Sequence, residues 1–196
     1  ETKQKCVQAI KGLFESPMLQ LIADSDPAGW IIEDLDHAEF SQYFQYEDVK
    51  VYVKTDLMFR GKDGTFNIVD WKTHSGTKPF DEEVHRSQDS SVQLGVYGYY
   101  AVNVRKEPLG SIRLYEVNLL GGGCVTGFYV DDESMEIFRD HIRKGISKLS
   151  SLLVGGDIER NEPLSPEHFP KVESRHCPFC NFFRICKDES FSDRLL

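Results

Sequence analysis

The sequence predicts an α/β fold in which a central mixed sheet carries helices on its faces. Three segments, at about 3–22, 81–104 and 132–153, show apolar residues at helical spacing, and strand-like segments lie between them. When strands and helices mix in this order, a sheet covered by helices is the stable arrangement. At 196 residues and 40% hydrophobic composition, the chain can build one full-sized domain. We therefore predict a single domain over residues 1–196, with its core at about 29–153.

The N-terminal elements follow from apolar spacing and from turn residues. The segment at 3–22 is predicted to be helical, and Ser16-Pro17 begins a second, short helix within it. Strands follow at about 29–32 and 38–46, because their residues alternate in polarity or are continuously apolar. A turn at Glu47-Asp48 then leads into the next strand.

The second half of the chain is predicted to contain a strand pair, a long helix and an extended strap. Residues 111–120 and 125–130 pair across a glycine-rich turn. The helix at 132–153 begins at Asp131 or Asp132, either of which is a suitable cap. Beyond it, three prolines indicate an extended strap that leads to a cysteine-rich C-terminal segment.

Two carboxylates and a lysine are predicted to meet on neighbouring strands. Residues 51–57 read Val-Tyr-Val-Lys-Thr-Asp-Leu, and residues 66–73 read Phe-Asn-Ile-Val-Asp-Trp-Lys-Thr. Because strand side chains alternate faces, Asp70 and Lys72 point the same way, and a hairpin turn at 62–64 brings Asp56 beside them. Carboxylates bind Mg²⁺ or Mn²⁺, and an ammonium positions a water or neutralises a phosphate, so this set indicates phosphodiester cleavage. The alternative is a surface hairpin with solvated charges.

A helix with an amide and a phenol follows these strands. Gln93 and Tyr97 are four residues apart and share a helix face. The order strand-Asp, strand-Asp-x-Lys, helix-Gln-x-x-x-Tyr resembles the PD-(D/E)xK nucleases, and specifically their RecB-like branch. In that branch the second strand commonly reads Ile-Val-Asp-aromatic-Lys-Thr, as residues 68–73 do here. The resemblance runs from about residue 38 to 104 and implies a restriction-endonuclease-like fold.

The resemblance also implies roles for the residues of this set. Asp56 and Asp70 would bind one or two Mg²⁺ or Mn²⁺ ions, together with the backbone carbonyl of Trp71. Lys72 would orient the attacking water and offset phosphate charge. The remaining two residues would hold the DNA strand next to the scissile phosphate; they are Gln93 and Tyr97.

The same resemblance draws attention to two further positions, a possible additional metal-binding glutamate and a departure from the family pattern. A Glu upstream of the first Asp often assists the metal there, which makes Glu39 a candidate, with Glu33 and Glu47 as rivals. The family usually has a small residue two positions before the first Asp, but here that residue is Lys54. A lysine at this place either crowds the metal site or supplies an extra phosphate contact.

The cysteines predict a second, soft-metal site. Three of the five form the dense motif Cys177-Pro-Phe-Cys180-x5-Cys186. The odd number of cysteines and the lack of a segment resembling a signal peptide argue against a disulfide framework. Thiolates are natural ligands of zinc and of iron–sulfur clusters, and the fourth ligand would be Cys6 or His176. Cys124, in a strand, is expected to be a small buried residue.

The resemblance favours an iron–sulfur cluster at these cysteines. In cysteine-bearing RecB-like nucleases, of the AddAB-type helicase–nucleases and the CRISPR adaptation nucleases, one N-terminal and three C-terminal cysteines hold a 4Fe–4S cluster. By that resemblance the ligands here are Cys6, Cys177, Cys180 and Cys186, with structural zinc as the alternative. A link between the two ends of the chain would remove several kcal/mol of unfolded-state entropy, by analogy with a long-loop disulfide at roughly 4–5 kcal/mol.

The net charge of −9 is unusual for a protein whose partner is a polyanion. Basic residues are nevertheless gathered on or beside the predicted active strands: Lys50, Lys54, Arg60, Lys62, Lys72 and Lys78. We expect modest affinity for DNA, or affinity lent by a partner such as a helicase or another repair or adaptation protein. No apolar run approaches 18 residues, so no membrane span is predicted, and we expect a cytoplasmic protein.

Three functions remain open at this point. The first is a metal-dependent DNA nuclease, which the family resemblance implies to be exonuclease-like on single-stranded or end-containing DNA. The second is a catalytically silent DNA-binding or scaffold module of the same fold, and the third is a restriction-like or RNA-directed hydrolase using the same site. The complete Asp56, Asp70 and Lys72 set favours an enzyme over a silent module.

Overall fold

The computed structural model describes residues 2–32, 42–73, 89–169, 171–181, 183 and 186. The chain divides into two compact units, Glu1–Ile146 and Ser147–Leu196, and each is described by itself. Within the described residues the helices are α1 (Thr2–Glu15), α2 (Pro17–Ala23), α3 (Asp89–Asn103) and α4 (Asp132–Ser150). The strands are β1 (Ile31–Ile32), β2 (Tyr43–Tyr46), β3 (Val49–Tyr52), β4 (Leu57–Arg60), β5 (Phe66–Lys72), β6 (Ile112–Asn118) and β7 (Cys124–Tyr129).

The first unit is built around a five-stranded mixed sheet with the order β1-β4-β5-β6-β7. Strands β5 and β6 are parallel, and the other neighbouring pairs are antiparallel. A parallel pair needs a crossover connection, and α3 lies between β5 and β6 in the chain. This mixed sheet with flanking helices confirms the predicted α/β architecture.

Strand β5 lies in the middle of the sheet, and both of its faces are covered by packed side chains. On one face, Ile68 belongs to a cluster with Leu114 of β6 and Leu94 of α3. On the other face, Val69 packs in a second cluster that includes Met18 of α2. A strand buried on both sides needs apolar residues on both faces, which Phe66, Ile68 and Val69 supply before Asp70, with Asn67 as a buried polar residue among them.

The chain around Asp56 differs from the single strand that the sequence predicted. Strand β3 pairs with β2 in a separate two-stranded sheet, whereas β4 pairs with β1 and β5. The amide of Val53 still donates to the carbonyl of Gln42, but the chain then leaves the β2–β3 ladder. Asp56 therefore lies in the connection just before β4, because this segment carries the chain from one sheet to the other.

The predicted turns and caps can be identified individually. The tip of the β4–β5 hairpin spans residues 61–65, where the Asp63 carboxylate accepts hydrogen bonds from Thr65 and Gly64 has a φ of +83°. Ser16 caps α2 by accepting a hydrogen bond from the amide of Met18, with Pro17 as the first helical residue. These observations confirm the predicted turn at 62–64 and the predicted start of the second helix.

Helix α4 begins at the first of its two predicted caps. The Asp131 carboxylate accepts from the amide of Ser134 at 2.7 Å, and the Ser134 hydroxyl accepts from the amide of Asp131 at 2.9 Å. This reciprocal pair satisfies amides that the helix itself cannot bond. The helix ends at Ser150, three residues before its predicted limit at 153.

The second unit has little regular structure beyond the end of α4. Its described residues contain a bridge between Leu153 and Pro163 and short 3-10 turns at Val154–Gly156, Pro166–His168 and Cys177–Phe179. None of the helices in the described part of the chain is long and apolar enough to cross a membrane.

Candidate active site

Asp56 and Asp70 lie at the same end of the β4–β5 hairpin. The ladder ends with Leu57 opposite Val69, so Asp56 and Asp70 are the next residues of the two segments at this end of the hairpin. Asp56 Oδ2 accepts a hydrogen bond of 2.7 Å from the amide of Trp71, which fixes the carboxylate at the strand end. The hairpin register thus brings together the two carboxylates that the sequence analysis paired.

Asp70 is buried, and its surroundings disfavour its charge. Only 4% of the residue is exposed, and this burial raises the pKa of the Asp70 carboxyl above its usual range. The adjacent Lys72 ammonium, 2.5 Å from Asp70 Oδ2, pulls the pKa down, while the charges of Asp56 and Glu116 push it up. Among the described residues this oxygen receives no hydrogen bond of ordinary geometry. A buried carboxylate in this condition is suited to hold a cation in addition to Lys72.

Lys72 is held by a chain of hydrogen bonds that begins on α3. Its ammonium donates to Gln93 Oε1 at 2.8 Å, and Gln93 Nε2 donates to the Tyr97 hydroxyl at 2.7 Å. Tyr97 in turn donates to the backbone carbonyl of Lys54 at 2.7 Å, just ahead of Asp56. The two residues that were predicted to hold DNA are therefore also placed to fix the lysine and the segment that carries the first carboxylate.

Glu116 is a residue that the sequence analysis did not identify. In the parallel β5–β6 pair, Glu116 is the register partner of Asp70, so the two side chains emerge on the same face of the sheet. Its charge contributes to the raised pKa of Asp70, which shows that the two carboxyls lie within electrostatic reach. A crossover helix directly after the Asp-x-Lys strand favours the following strand as its parallel neighbour, but which residue of that strand lies beside Asp70 depends on the register of the pair.

The other predicted metal-binding positions have different outcomes. Glu39 and its rival Glu33 lie outside the described residues. Glu47 lies at the tip of the β2–β3 hairpin with a φ of 51°. The structure describes no contact of Glu47 with Asp56 or Asp70 that would support it as the additional metal-binding carboxylate.

Cys124 is exposed, so the prediction that it is a buried residue is wrong. It begins β7, and β7 is the last strand of the sheet, where side chains at the strand end lack a neighbour to cover them. Of the predicted cluster ligands, Cys6, Cys180 and Cys186 are exposed and Cys177 is half-buried. The thiol of Cys177 accepts a hydrogen bond of 3.2 Å from the amide of Ser174, a contact that also suits a metal-bound thiolate.

The donor set at Asp56 and Asp70 fits a hard divalent cation. In the described part of the chain, no three His, Cys, Asp or Glu side chains are gathered closely enough to form a complete protein cage for a metal. Mg²⁺ does not require one, because it commonly uses one or two carboxylates, keeps several waters and takes the remaining ligands from substrate phosphates. Two carboxylates at the same end of the hairpin, one of them buried beside a lysine, match that pattern.

Removing the Tyr97 hydroxyl should weaken catalysis without affecting metal binding. In Tyr97→Phe, Gln93 and the Lys54 carbonyl both lose a partner, so we expect Lys72 to be less well placed and cleavage to fall about tenfold. Mn²⁺ affinity, measured by calorimetry, should stay within about twofold, since a phenol that serves only as a hydrogen-bond partner is not a ligand. Tyr100→Phe, a buried tyrosine of the same helix, is the matched control. A clear loss of Mn²⁺ affinity in Tyr97→Phe would contradict this placement of α3.

Neutralising Asp70 should stabilise the protein when no metal is bound. Because burial raises the pKa of Asp70, the folded state bears a cost for its charge above that pKa, and Asp70→Asn should remove about 1 kcal/mol of it. As the pH falls through the raised pKa and then the usual range, the wild type takes up the proton and the cost disappears. The gain should therefore be full at neutral pH and vanish below about pH 4. Urea unfolding in chelator measures it, and a less stable variant at pH 7 would show that the ion pair with Lys72 outweighs burial.

A comparison with protein families places these features in a known group. The family model described as PD-(D/E)XK nuclease superfamily matches residues 6–187, which is nearly the whole chain. No curated protein matches the sequence.

Proposed function

Because the chain belongs to the PD-(D/E)XK nuclease superfamily, we propose that it is a divalent-metal-dependent deoxyribonuclease. It would hydrolyse phosphodiester bonds, acting as an exonuclease on single-stranded or end-containing DNA. The observation that carries the proposal is the convergence of Asp56, Asp70 and Lys72, with Lys72 held by Gln93. This set combines metal-binding carboxylates with a positive charge for the phosphate, which suits phosphodiester hydrolysis and argues against a silent scaffold of the same fold.

The metal would be held by Asp56, Asp70 and the backbone carbonyl of Trp71. When bound, Mg²⁺ or Mn²⁺ supplies a Lewis acid for the phosphate and lowers the pKa of a water. The chain's own contribution is positional. The hydrogen bond from the Trp71 amide orients Asp56, and the buried setting of Asp70 keeps water from competing for its oxygens.

Lys72 would supply positive charge beside the reacting phosphate. Its ammonium lies between Asp70 and Gln93 at 2.5 and 2.8 Å, so two contacts define its position before DNA arrives. A pre-oriented ammonium stabilises developing negative charge without a reorganisation cost during the reaction, and it orients the attacking water. Gln93 and Tyr97 act as positioning residues for Lys72, besides any contact that they make with the DNA strand.

The charge distribution favours modest DNA affinity and a partner that supplies more. Several basic residues at the surface are engaged by acids of the chain: Arg60 with Glu107, Lys62 with Asp24, and Lys144 with Asp140. Together with the net charge of −9, these pairs reduce the positive surface that the described residues offer to a duplex. A helicase, or another repair or adaptation protein, that delivers DNA ends would compensate.

We also assign the cysteines to a 4Fe–4S cluster with Cys6, Cys177, Cys180 and Cys186 as ligands. When bound, such a cluster serves here as a structural link between chain segments distant in sequence. Support comes from the dense Cys-x2-Cys-x5-Cys motif, the odd cysteine count and the amide donor at Cys177. Zinc held with His176 in place of Cys6 is the alternative.

A cleavage assay with purified protein tests the proposal. Linear single-stranded, linear duplex and circular DNA, and an RNA strand, are incubated with Mn²⁺, with Mg²⁺ and with chelator. We expect metal-dependent loss of the linear single strand, slower loss of duplex ends and no loss in chelator. Equal cleavage with and without metal, or cleavage of RNA alone, would contradict it.

A further inference from the structure

The outward face of the β2–β3 hairpin carries aromatic and basic side chains together. The strands pair with Tyr43 opposite Tyr52 and Gln45 opposite Lys50, so these four residues share one face. The opposite face is apolar and packs on the core, with Phe44 and Tyr46 against Tyr99 of α3 at ring distances of 4.8 and 5.8 Å. The hairpin is thus anchored on one side, and its other side is presented outward.

The two outward tyrosines form a pair with a lysine between them. Tyr43 and Tyr52 are 44% and 48% exposed, and their ring centroids are 6.2 Å apart. The ammonium of Lys50 lies 3.9 Å from the Tyr43 centroid and 5.4 Å from that of Tyr52. Large exposed aromatics on a rigid strand pair are not needed for the core, which the opposite face already supplies.

The chain runs directly from this face to the candidate active site. Exposure alternates along the segment that follows the hairpin: Lys50, Tyr52 and Lys54 are exposed, whereas Val53 and Thr55 are buried. The exposed residues therefore lie along one side of the chain as far as Lys54, and the half-buried Asp56 follows two residues later, at the bend that leads into β4. From Tyr52 to Asp56 the chain spans at most ~14 Å, the length of about four stacked nucleotides.

We propose that the hairpin face of Tyr43, Lys50, Tyr52 and Lys54 binds the unpaired bases and phosphates of a DNA strand and leads it to Asp56. Stacking on aromatic rings requires bases that are not enclosed in a duplex, and nearby ammonium groups match the phosphates between them. This inference rests on the proposed function, because the strand held here is the strand that is cleaved. It also gives Lys54, the departure from the family's small residue, a phosphate-binding role.

Two observations separate this role from simple stabilisation of the hairpin. A lysine packed on a tyrosine needs only one ring, whereas here two rings flank Lys50 on a face from which the chain runs toward the carboxylates. The chain also offers a pair of the same chemistry elsewhere, in which Arg113 lies 4.7 Å from the ring of Tyr129. That pair lies on the opposite face of the sheet from Asp70, since Arg113 is in register with Asn67, three residues before Asp70, and strand side chains alternate faces.

Binding of a labelled oligodeoxythymidine by the full chain in chelator tests the proposal, because no cleavage occurs there. Tyr52→Leu and Tyr43→Leu should each weaken binding about tenfold, as expected for the loss of one base–aromatic stack, while Tyr52→Phe keeps wild-type affinity. Tyr129→Leu, the matched control on an exposed tyrosine, should stay within about twofold. Lys54→Gln keeps the backbone carbonyl that Tyr97 binds and should lower the salt dependence of binding by about 0.7 in log–log slope.

The outcomes distinguish this surface from the catalytic proposal. If Tyr52→Leu and Lys54→Gln bind the oligonucleotide as wild type does, the face serves another class of partner and the inference is overturned, whatever the cleavage assay shows. If the wild type binds with the tyrosine dependence described but cuts no DNA with metal, the catalytic proposal fails and the surface stands. Circular dichroism of each variant establishes folding, and Lys54→Gln remains decisive if a leucine variant unfolds.

Discussion

Replacing Lys72 with alanine should lower the rate of metal-dependent DNA cleavage at least a hundredfold while the protein stays folded. The Lys72 ammonium is held between Asp70 and Gln93, so its removal takes away a positive charge that is already positioned beside the proposed metal site. Losing one such preorganised group in an active site commonly costs about a hundredfold or more. Asp70→Ala should have an effect of the same size, through loss of the metal.

The two variants should differ in metal binding, and this difference tests the assigned roles. Calorimetry with Mn²⁺ should show binding in Lys72→Ala and a large loss in Asp70→Ala, because only the carboxylate is a ligand. Lys62→Ala is the matched control, since Lys62 is an exposed lysine at the opposite end of the β4–β5 hairpin, paired with Asp24. If Lys72→Ala cleaves DNA as fast as wild type, the site described here is not the catalytic one.

The sheet and its helices were predictable because the polarity pattern and the turn residues of each segment fit the observed order of strands and helices. The mostly apolar residues before Asp70 indicate a strand covered on both faces, and the helix that follows is the crossover that a parallel partner needs. The Asp63-Gly64 turn fixes the hairpin, and the hairpin register brings Asp56 and Asp70 to the same end of it. The geometry of the two carboxylates follows from these short-range signals.

What the sequence could not predict depends on pairing between distant segments. The residues before Asp56 alternate in polarity like a strand. The chain nevertheless passes here from the β2–β3 sheet to the five-stranded sheet, and no local sequence pattern marks this change of partner. Glu116 becomes a neighbour of Asp70 only through the parallel register of β5 and β6. Cys124 was expected to be buried because it lies in a predicted strand, and it is exposed because it begins an edge strand.

Anaerobically purified protein should be brown and contain about four irons per chain, if the cysteines hold a cubane cluster. The dense C-terminal motif supplies three thiolates, and Cys6 is the candidate that completes the set. Visible absorption, together with iron and acid-labile sulfide content, measures the cluster directly and does not depend on nuclease activity.

Cys6→Ser should destabilise the protein about as much as Cys180→Ser, because either change opens the same loop between the two ends of the sequence. For a loop of this length the loss is expected to approach that of a long-loop disulfide, roughly 4–5 kcal/mol. Cys124→Ser is a well-matched control, since its thiol is exposed and its removal costs no core packing, so iron content and stability should both be retained. A colourless protein that contains one zinc and tolerates Cys6→Ser would contradict the cluster. The fourth position would then belong to His176 next to the motif, and the link between chain ends would not exist.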